Sequence, residues 1–586
     1  MQIEQCLISP YKFLDKSKQG LSRLEQPNAN CQAHTVFCIS SLFFSHFVSY
    51  LTSRFSCFVY VLSLLSFIFN PTPTKAQQFE LSLNNQINEK FEKYLQSPDN
   101  NVQTSFKPLI SSFVKYDSLK NAENNYQKRF LRKSFLGRKL KQESLIEVKK
   151  DDFYLSIDPL FNFSILKDIA DTSLRADTTN FYVNTRGILV QGSINEKFSF
   201  ESSFYENQAF FPDYLHRYVS YYRMVPGQGR VKDFKRGGFD YAMASGYFSY
   251  TPFNTENFKW NIRAGHGKNF VGEGYRSLLL SDNAFNYPYA KSTIVYGKFQ
   301  YINTFAVLQS LERTRVSTIT ENLFYRKKAT FHYLGFNPHS RIHIGLFEGI
   351  MWQMQDTNSV KPFEPTFVLP VIFANTLRYG LNDEHNAIIG ANIKVKAHRK
   401  ITLYGQLVSD DFSRSRFAYQ AGIKVFELPK NLFLQIEYNN VKAFTYSHAI
   451  PLQSYTHYNQ SLTHPLGANF DELLFRASYS FKDLFIQYRY SLAHIDKDNQ
   501  GGNFGNDIFK SNYSASQNNL FASPITTVLT IQEIRAGYVI NRKTNMQLVG
   551  GLFIRTENSG PIAPIHNSFI YTVSLSTNLA NFYYDF

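Results

Sequence analysis

The stretch LLFRASYSFKDLFIQYRY, residues 473–490, contains the pattern that decides the fold of this chain. Apolar side chains take every second position in residues 473–479 and again in 484–490, on either side of the turn at Lys482-Asp483. A period of two places successive side chains on opposite faces of a β-strand. The stretch therefore predicts an antiparallel hairpin with one apolar face and one mainly polar face.

The same alternation recurs from Phe153 to the end of the chain, and about eighteen strands can be counted. Short turns are predicted at residues 194–197, 337–340, 397–400, 427–431 and 541–544. Longer segments rich in turn residues lie at 208–238, 268–290, 353–384, 441–469 and 496–524. Outer-membrane barrels have an even number of strands and alternate short periplasmic turns with long extracellular loops. The pattern therefore predicts an all-β, transmembrane outer-membrane β-barrel in residues 151–586.

A soluble β-sandwich is the alternative explanation of this alternation. The chain has 586 residues, of which 43% are hydrophobic and 16% aromatic, with 56 Phe and 38 Tyr, yet its mean hydropathy is −0.29. A sandwich would have to bury all the aromatic faces in one core, whereas a barrel presents them to lipid. The composition therefore favours the barrel, with its lumen plugged by loops.

Two details of the barrel pattern are less regular. Glu348 shares its parity with three apolar residues of the same strand, and we assign it to the outer rim of the barrel. In the segment 353–384, Pro365 and Pro370 interrupt the apolar run PTFVLPVIF. This run is either a loop followed by a strand or a segment folded into the lumen.

The N-terminal residues 1–76 are predicted to be a signal peptide or leader. Residues 57–69 form a short apolar core, which is followed by Thr74-Lys75-Ala76, so the mature chain is expected to begin near Gln77. A membrane anchor assembled from residues 36–69 is the alternative. All four cysteines precede residue 58, so no disulfide or thiol-bound metal is expected beyond it, and no cofactor is predicted.

Residues 77–150 are predicted to form a helical and basic segment in the periplasm. Apolar residues recur at helical spacing in 83–95 and in 106–113, which predicts a pair of amphipathic helices. A basic run follows in residues 128–141. It is either a solvated linker or a docking site for phosphates or an acidic glycan.

Positive charge dominates the chain, which carries a formal net charge of +16. Such a balance favours polyanionic partners: acidic surface polysaccharide, outer-membrane lipids or nucleic acid. An outer-membrane location argues against nucleic acid. The polar parity of the strands, which would face the lumen, collects Lys394, Lys396, Lys424, Arg476, Arg489, Arg535, Arg555, Asn392, Gln406, Gln420, Gln435 and Glu437. Lumen arginines either bind carboxylates and phosphates of a ligand or balance loop acids such as Glu206, Asp240 or Asp282.

Two loop segments supply further candidate ligand groups. Four glycines lie within residues 265–274, and Arg276, Asp282 and Asn283 follow them with donors and acceptors that a solvated loop would not need. The second segment, residues 205–212, combines Glu206, Asn207 and Gln208 with aromatic residues. Amides and carboxylates beside aromatic rings are typical of sugar sites, but the same residues could lock a plug.

The loop after the glycines also resembles a known family. Gly272, Gly274, Ser277, Leu278, Leu280, Ser281, Asn283, Ala284 and Pro288 match a G…GxG…SLxLSxNAxPxP pattern of the capsule assembly protein Wzi family, in the form found in a Bacteroidetes branch that includes the gliding-motility protein RemB. The resemblance implies an outer-membrane barrel that binds or anchors capsular or extracellular polysaccharide during capsule assembly, with a link to gliding motility. The family's paired tryptophans are replaced here by Asn269 and Phe270.

The predicted polysaccharide ligands are therefore Arg276, Asp282, Asn283, Glu206, Asn207, Gln208, Arg476, Arg489 and Arg535. An enzyme is not expected, because the chain has no G-x-S-x-G or H-E-x-x-H, and GHGKNFVG has the wrong spacing for a phosphate loop. The alternative function is an outer-membrane channel or porin for anionic solutes. The aromatic end of the chain, with Tyr584 and Phe586, resembles the signal read by barrel-insertion machinery, and a motility or secretion apparatus is a further candidate partner.

Overall fold

The structure, a computed structural model, describes residues 79–95, 100–114, 134–150, 152–195, 197–313, 324–354, 360–381, 385–499, 502–512, 523–561, 564–577, 579 and 581–586. Within these residues, eighteen long antiparallel strands form one closed barrel. Numbered β1 to β18 in chain order, they are Phe153–Asp168, Phe181–Ile194, Phe198–Phe210, Gly238–Asn254, Phe258–Gly267, Tyr287–Tyr296, Phe299–Arg313, Phe324–His339, Ile342–Gln353, Asn386–His398, Ile401–Asp411, Arg416–Phe426, Leu432–Val441, Phe470–Phe481, Leu484–Lys497, Ile525–Asn541, Met546–Asn558 and His566–Ser576. Pairing of β18 with β1 closes the ring. The predicted fold class and strand number are confirmed.

The connections differ sharply between the two ends of the barrel. Short turns such as 297–298 and 482–483 lie at one end, which we call the turn rim. Long connections, including 211–237, 268–286 and 442–469, lie at the other end, which we call the loop rim. In outer-membrane barrels the short turns face the periplasm and the long loops face the exterior.

Strand parity separates an apolar outer face from a polar inner face. Outward side chains such as Ile486 and Leu548 are about half exposed, as expected for a belt that contacts lipid. Inward side chains such as Glu437 and Asn439 are fully buried. The inward direction predicted for the polar parity is therefore confirmed, and the lumen is filled rather than open.

The segment before the barrel fills the mouth of the lumen at the turn rim. Helix α1, Asn85–Leu95, brings Glu92 within 2.6 Å of Lys424 on β12. The next residues do not form the second predicted helix, because Phe106–Lys107 pairs as a strand with Phe270–Val271. Backbone hydrogen bonding to this distant loop therefore overrides the helical spacing of the apolar residues.

A short strand, Ile146–Lys150, pairs with the first residues of β1 and continues the wall where β18 ends. Helix α2, Phe135–Lys141, precedes it at the turn rim. Asn541 donates to the backbone carbonyls of Lys139 and Glu143, which ties this region to β16. The predicted start of the mature chain lies outside the described residues.

The remaining elements are short and lie in the long connections. Three further helices, α3 to α5, are Leu174–Thr178, Asp213–Tyr222 and Ala374–Tyr379. The 3-10 turns are Pro365–Val368 and Pro451–Gln453, and the short strands are Lys232–Phe234, Thr456–His457 and Gln460–Ser461. In the part of the chain that is described, no helix combines the length and apolar character needed to span a membrane.

Residues 360–381, in the connection between β9 and β10, fold over the outside of the barrel, and we call them the flap. Phe367 of the flap packs on Phe305, an outward residue of β7, with ring centroids 5.5 Å apart. Tyr301 of the same strand donates to the carbonyl of Pro370 at 3.1 Å. The interrupted apolar run therefore forms neither a wall strand nor a segment folded into the lumen.

Glu348 on β9 holds the flap in place. Its carboxylate accepts the backbone N–H groups of Phe373 at 2.9 Å and Thr376 at 3.3 Å, at the start of α5, and the hydroxyl of Thr376. His332 Nδ1 lies 2.8 Å from the same carboxylate. The predicted outward direction of Glu348 is right, but its assignment to the rim is wrong, because the flap covers it completely. A carboxylate at a helix N-terminus is a favourable pairing.

Glu348→Gln is expected to detach the flap. The amide nitrogen cannot accept the N–H groups of α5, and each lost hydrogen bond to a charged group costs about 2 kcal/mol. Local opening should then become about thirtyfold more frequent. Trypsin cleavage after Lys361 and Arg378, both in the flap, measures this opening in detergent-solubilised protein.

Glu364→Gln is the matched control, because Glu364 hydrogen-bonds within the flap to Thr366 and Tyr379, and its one contact outside the flap among the described residues, His385 at 3.4 Å, precedes the wall strand β10. Equal cleavage rates in wild type and the Glu348 variant would show that the flap is held by its apolar contacts alone.

Candidate functional site

A buried ion pair lies at the centre of the lumen, where Arg276 meets Glu472 and Asp585. Arg276 Nη2 lies 3.0 Å from Glu472 Oε1 and 3.1 Å from Asp585 Oδ2. All three residues are at most 2% exposed. Burial by itself would lower the pKa of Arg276, but Asp585 and Glu472 hold it well above its usual value. Arg489 also donates to Asp585, so two guanidinium groups share that carboxylate.

The connection 268–286, which we call the inner loop, folds into the lumen and carries Arg276. Wall side chains hold its backbone: Glu437 on β13 accepts the N–H of Arg276 at 3.1 Å, and Gln420 on β12 donates to its carbonyl at 3.1 Å. At Gly274 an added Cβ would lie 2.5 Å from Glu437 Oε2. Glycine at this position is therefore what lets the loop approach the wall.

The apolar step of the inner loop anchors it in the loop-rim half of the lumen. Leu278, Leu279 and Leu280 are completely buried. Tyr446 donates to the carbonyl of Leu278 at 2.7 Å, and Tyr455 donates to that of Leu279 at 2.9 Å. Both tyrosines belong to the connection 442–469, so two long connections lock together inside the barrel.

Glu273 joins the inner loop to the segment that precedes the barrel. It accepts the hydroxyls of Thr104 and Ser105, both at 2.8 Å, and lies 3.0 Å from Lys394 Nζ on β10. Burial alone would raise the pKa of Glu273, but Lys394 and Lys107 hold it well below its usual value. Hydrogen bonds and charge thus connect the wall, the inner loop and the N-terminal segment.

The described residues after β18, numbers 577, 579 and 581–586, also lie inside the lumen, and we call them the tail. A backbone oxygen of Phe586 accepts a hydrogen bond from Arg555 Nε at 3.0 Å inside the lumen. Tyr584 receives a hydrogen bond from Gln228 at 2.7 Å, and Phe586 packs on Tyr218 of α4. The aromatic pair predicted as an insertion signal therefore faces the lumen and not lipid.

Three of the predicted ligand residues belong to this packed interior. Glu472 and Asp585 occupy the guanidinium group of Arg276, which does not pair with Asp282. Asp282 instead accepts the hydroxyl of Tyr583 at 2.8 Å. Asn283 donates to the carbonyl of Ser461 at 3.1 Å.

Glu206 and Gln208, predicted as ligands of a sugar site, lie on the outer face of the barrel and not beside the other candidates in the lumen. The residues 205–212 extend the strand β3, in which neighbouring side chains must point to opposite faces. Glu206 is accordingly exposed, and Gln208 contacts the outward Arg186. Asn207 between them points inward and is 2% exposed.

The other predicted residues line a cavity of about 380 Å³ between the tail and the barrel wall. Of its arginines, Arg476 pairs with Glu89, and Arg489 lies 2.8 Å from Glu533. Arg535 lines the same cavity and makes no ion pair within the part of the chain that is described. The structure therefore brings Asn207, Arg476, Arg489 and Arg535 together and places the other five candidates elsewhere.

A row of polar side chains crosses the wall of this cavity. Direct register pairs join Gln547 on β17 to Ser576, Ser576 to Asn162, Asn162 to Thr185, and Thr185 to Asn207. Neighbouring strands are about 4.8 Å apart, so this polar row has an amide or hydroxyl at each step. At one end of the row, Thr185 donates to Asn207, which in turn donates to the carbonyl of Tyr241. The sequence signal was the polar parity of each strand, but the row depends on register between strands far apart in the chain.

The replaced tryptophan positions do not reach the cavity. Asn269 donates to the hydroxyl of Tyr287 and accepts from Lys291, and Phe270 lies beneath the ammonium group of Lys107. Both residues help to pack the inner loop. Within the described ranges, no group of three or more metal-ligating side chains lies close together.

Arg276→Met is expected to destabilise the folded barrel by about 3 kcal/mol, the lower end for breaking a buried ion pair, because Arg489 still reaches Asp585. Urea unfolding of the purified protein measures the change. The control is Arg236→Met at an exposed arginine, which should change the midpoint little. Equal midpoints for the two variants would show that the central pair contributes no net stability.

Acid is expected to loosen the connection 442–469 through His457. Its Nδ1 accepts the N–H of Gln309 at 3.0 Å and its Nε2 lies 3.1 Å from the carbonyl of Asn286, so the docked ring is neutral. Burial lowers the pKa of His457 to about 3. The undocked ring binds a proton below about pH 6.5 and the docked ring does not, so docking weakens by about 1.4 kcal/mol for each pH unit below that value.

Hydrogen exchange measures this loosening as a change in the protection factors of residues 442–469 between about pH 7 and about pH 5, each taken relative to an unfolded chain at the same pH. His457→Gln keeps a polar side chain without the titrating group and should remove most of the pH dependence. If the protection factors fall equally in both proteins, the effect belongs to other groups, such as the neighbouring His266.

Comparisons with known proteins agree with this architecture. The family model for the capsule assembly protein Wzi matches residues 176–556. Among solved structures, the barrel is similar to Wzi of Escherichia coli, an outer-membrane protein involved in group 1 capsule assembly, with 12% identity, a TM-score of 0.50, and coverage of 86% of this chain and 100% of that one. No curated protein matches the sequence.

Other barrels are similar at lower scores. OccAB2 of Acinetobacter baumannii has 12% identity and a TM-score of 0.38, with coverage of 72% of this chain and 97% of that one. OpdO of Pseudomonas aeruginosa has 10% identity and a TM-score of 0.39, with coverage of 72% and 96%. These scores support no assignment, whereas the family match covers most of the barrel. The chain is a non-enzymatic outer-membrane β-barrel that belongs to the capsule assembly protein Wzi family.

Proposed function

We propose that this barrel binds and anchors acidic capsular or extracellular polysaccharide during capsule assembly. Family membership supports a role in capsule assembly, and the similar Escherichia coli protein is a carbohydrate-binding β-barrel. The observation that carries the proposal is the filled lumen. The N-terminal segment, the inner loop and the tail meet there and are joined by a buried ion pair and by hydrogen bonds, which suits a binding protein better than a wide pore.

A channel for anionic solutes is the second candidate, and the cavity beside the tail is the observation that favours it. Arg535 lines this cavity without an ion pair in the described chain and would attract anions. The tail, however, crosses the lumen beside the cavity, and its Asp585 carries the opposite charge. A channel along this path would have to move packed side chains.

The proposal extends to partners and processing. Resemblance of the glycine-rich segment to the RemB branch supports a link to gliding motility or a secretion apparatus, and the leader at residues 1–76 would direct the chain to the outer membrane. Outward aromatic residues of the last strand, Phe569 and Tyr571, are the better candidates for recognition by barrel-insertion machinery and for contact with lipid.

Purified protein in proteoliposomes is expected to retain acidic polysaccharide from the cells that make it and to show no sustained ion conductance. Retention should fall as salt rises, because the screening length shortens from about 10 Å at 0.1 M to about 3 Å at 1 M. Neutral dextran of similar length is the matched control ligand.

Retention is read by co-sedimentation and conductance in planar bilayers. Stable anion-selective conductance without polysaccharide retention would favour the channel. Absence of both would remove the proposed function.

A further inference from the structure

The cavity beside the tail has two chemically different faces. One is the polar row on the wall, with an amide or hydroxyl on each of five adjacent strands. The other is formed by the tail, where Phe582 and Tyr584 line the cavity with rings 6.2 Å apart and nearly parallel. Sugar sites combine hydrogen bonds to ring hydroxyls with stacking on an aromatic face. The two faces together supply both requirements.

Two polar groups in the cavity have unused hydrogen-bonding capacity. Gln547, at one end of the polar row, is 5% exposed, and its Oε1 accepts no hydrogen bond from the described residues. A buried acceptor without a partner costs free energy, which a ligand hydroxyl or ordered water would recover. Arg535 supplies a guanidinium group without an ion pair in the described chain, and a guanidinium binds a carboxylate through two parallel hydrogen bonds.

Space is available beside Arg535. The residue paired with it on β17 is Gly551, and a Cβ added there would meet nothing closer than 3.7 Å. A larger side chain at this position would therefore enter the cavity without straining the strand. With a volume of about 380 Å³, the cavity falls in the range of small-ligand sites.

The cavity is closed toward the loop rim. There Phe211, Leu215 and Tyr241 are at most 3% exposed and pack in one apolar cluster. At the other end its lining includes Asn85 and Gln86 on α1, which are only half-buried. A ligand therefore enters from the turn rim, the side that faces the periplasm in barrels of this kind.

We propose that this cavity binds a short stretch of acidic glycan, with Arg535 on the carboxylate of a uronic-acid-type sugar and the polar row on ring hydroxyls. The inference rests on the proposed function and narrows it to one site and one ligand class. It also replaces the predicted site around Arg276, whose guanidinium group is fully used by Glu472 and Asp585.

The test measures binding of oligogalacturonate, an acidic probe, and of a neutral malto-oligosaccharide to the full-length protein by calorimetry in detergent. Gly551→Leu places a bulky side chain in the cavity beside Arg535 and should abolish binding of the acidic probe. Gly550→Leu is the matched control, because the neighbouring glycine points to lipid and an added Cβ meets nothing within 4 Å. Arg535→Gln should weaken the acidic probe about tenfold, as loss of a charge-assisted contact does, without weakening the neutral probe.

The outcomes separate this inference from the function on which it rests. If wild type binds the acidic probe and Gly551→Leu binds it equally well, the site lies elsewhere and the inference is wrong, although the proposed function stands. Equal loss of acidic and neutral probes in Arg535→Gln would contradict the assigned role of its charge. If wild type retains neither the probe nor the native polysaccharide, the proposed function fails and this inference fails with it.

Discussion

The buried contact of Arg276 with Glu472 and Asp585 is the interaction on which the interior depends. It joins the inner loop, the wall strand β14 and the tail, three parts of the chain that come together only in the folded barrel. Each charge would be costly to bury without its partners, so moving any one of the three segments out of the lumen would leave a buried charge unpaired. The three segments therefore stay together and fill the lumen. Because the lumen is filled, the barrel suits binding better than free passage of solutes.

The barrel itself could be predicted from the sequence because the patterns that specify its strands and turns lie within short stretches of the chain. Alternation fixes which side chains point outward, and turns such as Lys482-Asp483 pair each strand with its neighbour in the chain. The flap could not be predicted in the same way. Its position depends on hydrogen bonds from Phe373 and Thr376 to Glu348, and spacing in the sequence carries no sign of such a distant contact.

The candidate site was predicted in part for a related reason. Parity identified Arg476, Arg489 and Arg535 as lumen residues, but only the fold shows that Glu89 and Asp585 neutralise the first two. The sequence grouped Glu206 and Gln208 with Asn207 in one site, but neighbouring residues of a strand point to opposite faces, so the three cannot line one site. The polar row was missed because its members come from five strands, and only register places Gln547 in line with Asn207.

The flap also changes the outline of the protein in the plane of the membrane. Over the loop-rim part of β7 to β10 the outer surface is made by flap side chains such as Phe363 and Leu377, which are 59% and 86% exposed, whereas toward the turn rim it is made by strand residues such as Leu346. A plain cylinder presents the same profile in every direction. In the described part of this barrel the flap thickens the wall over β7 to β10, so that a neighbour in the bilayer meets a different contour depending on the side from which it approaches.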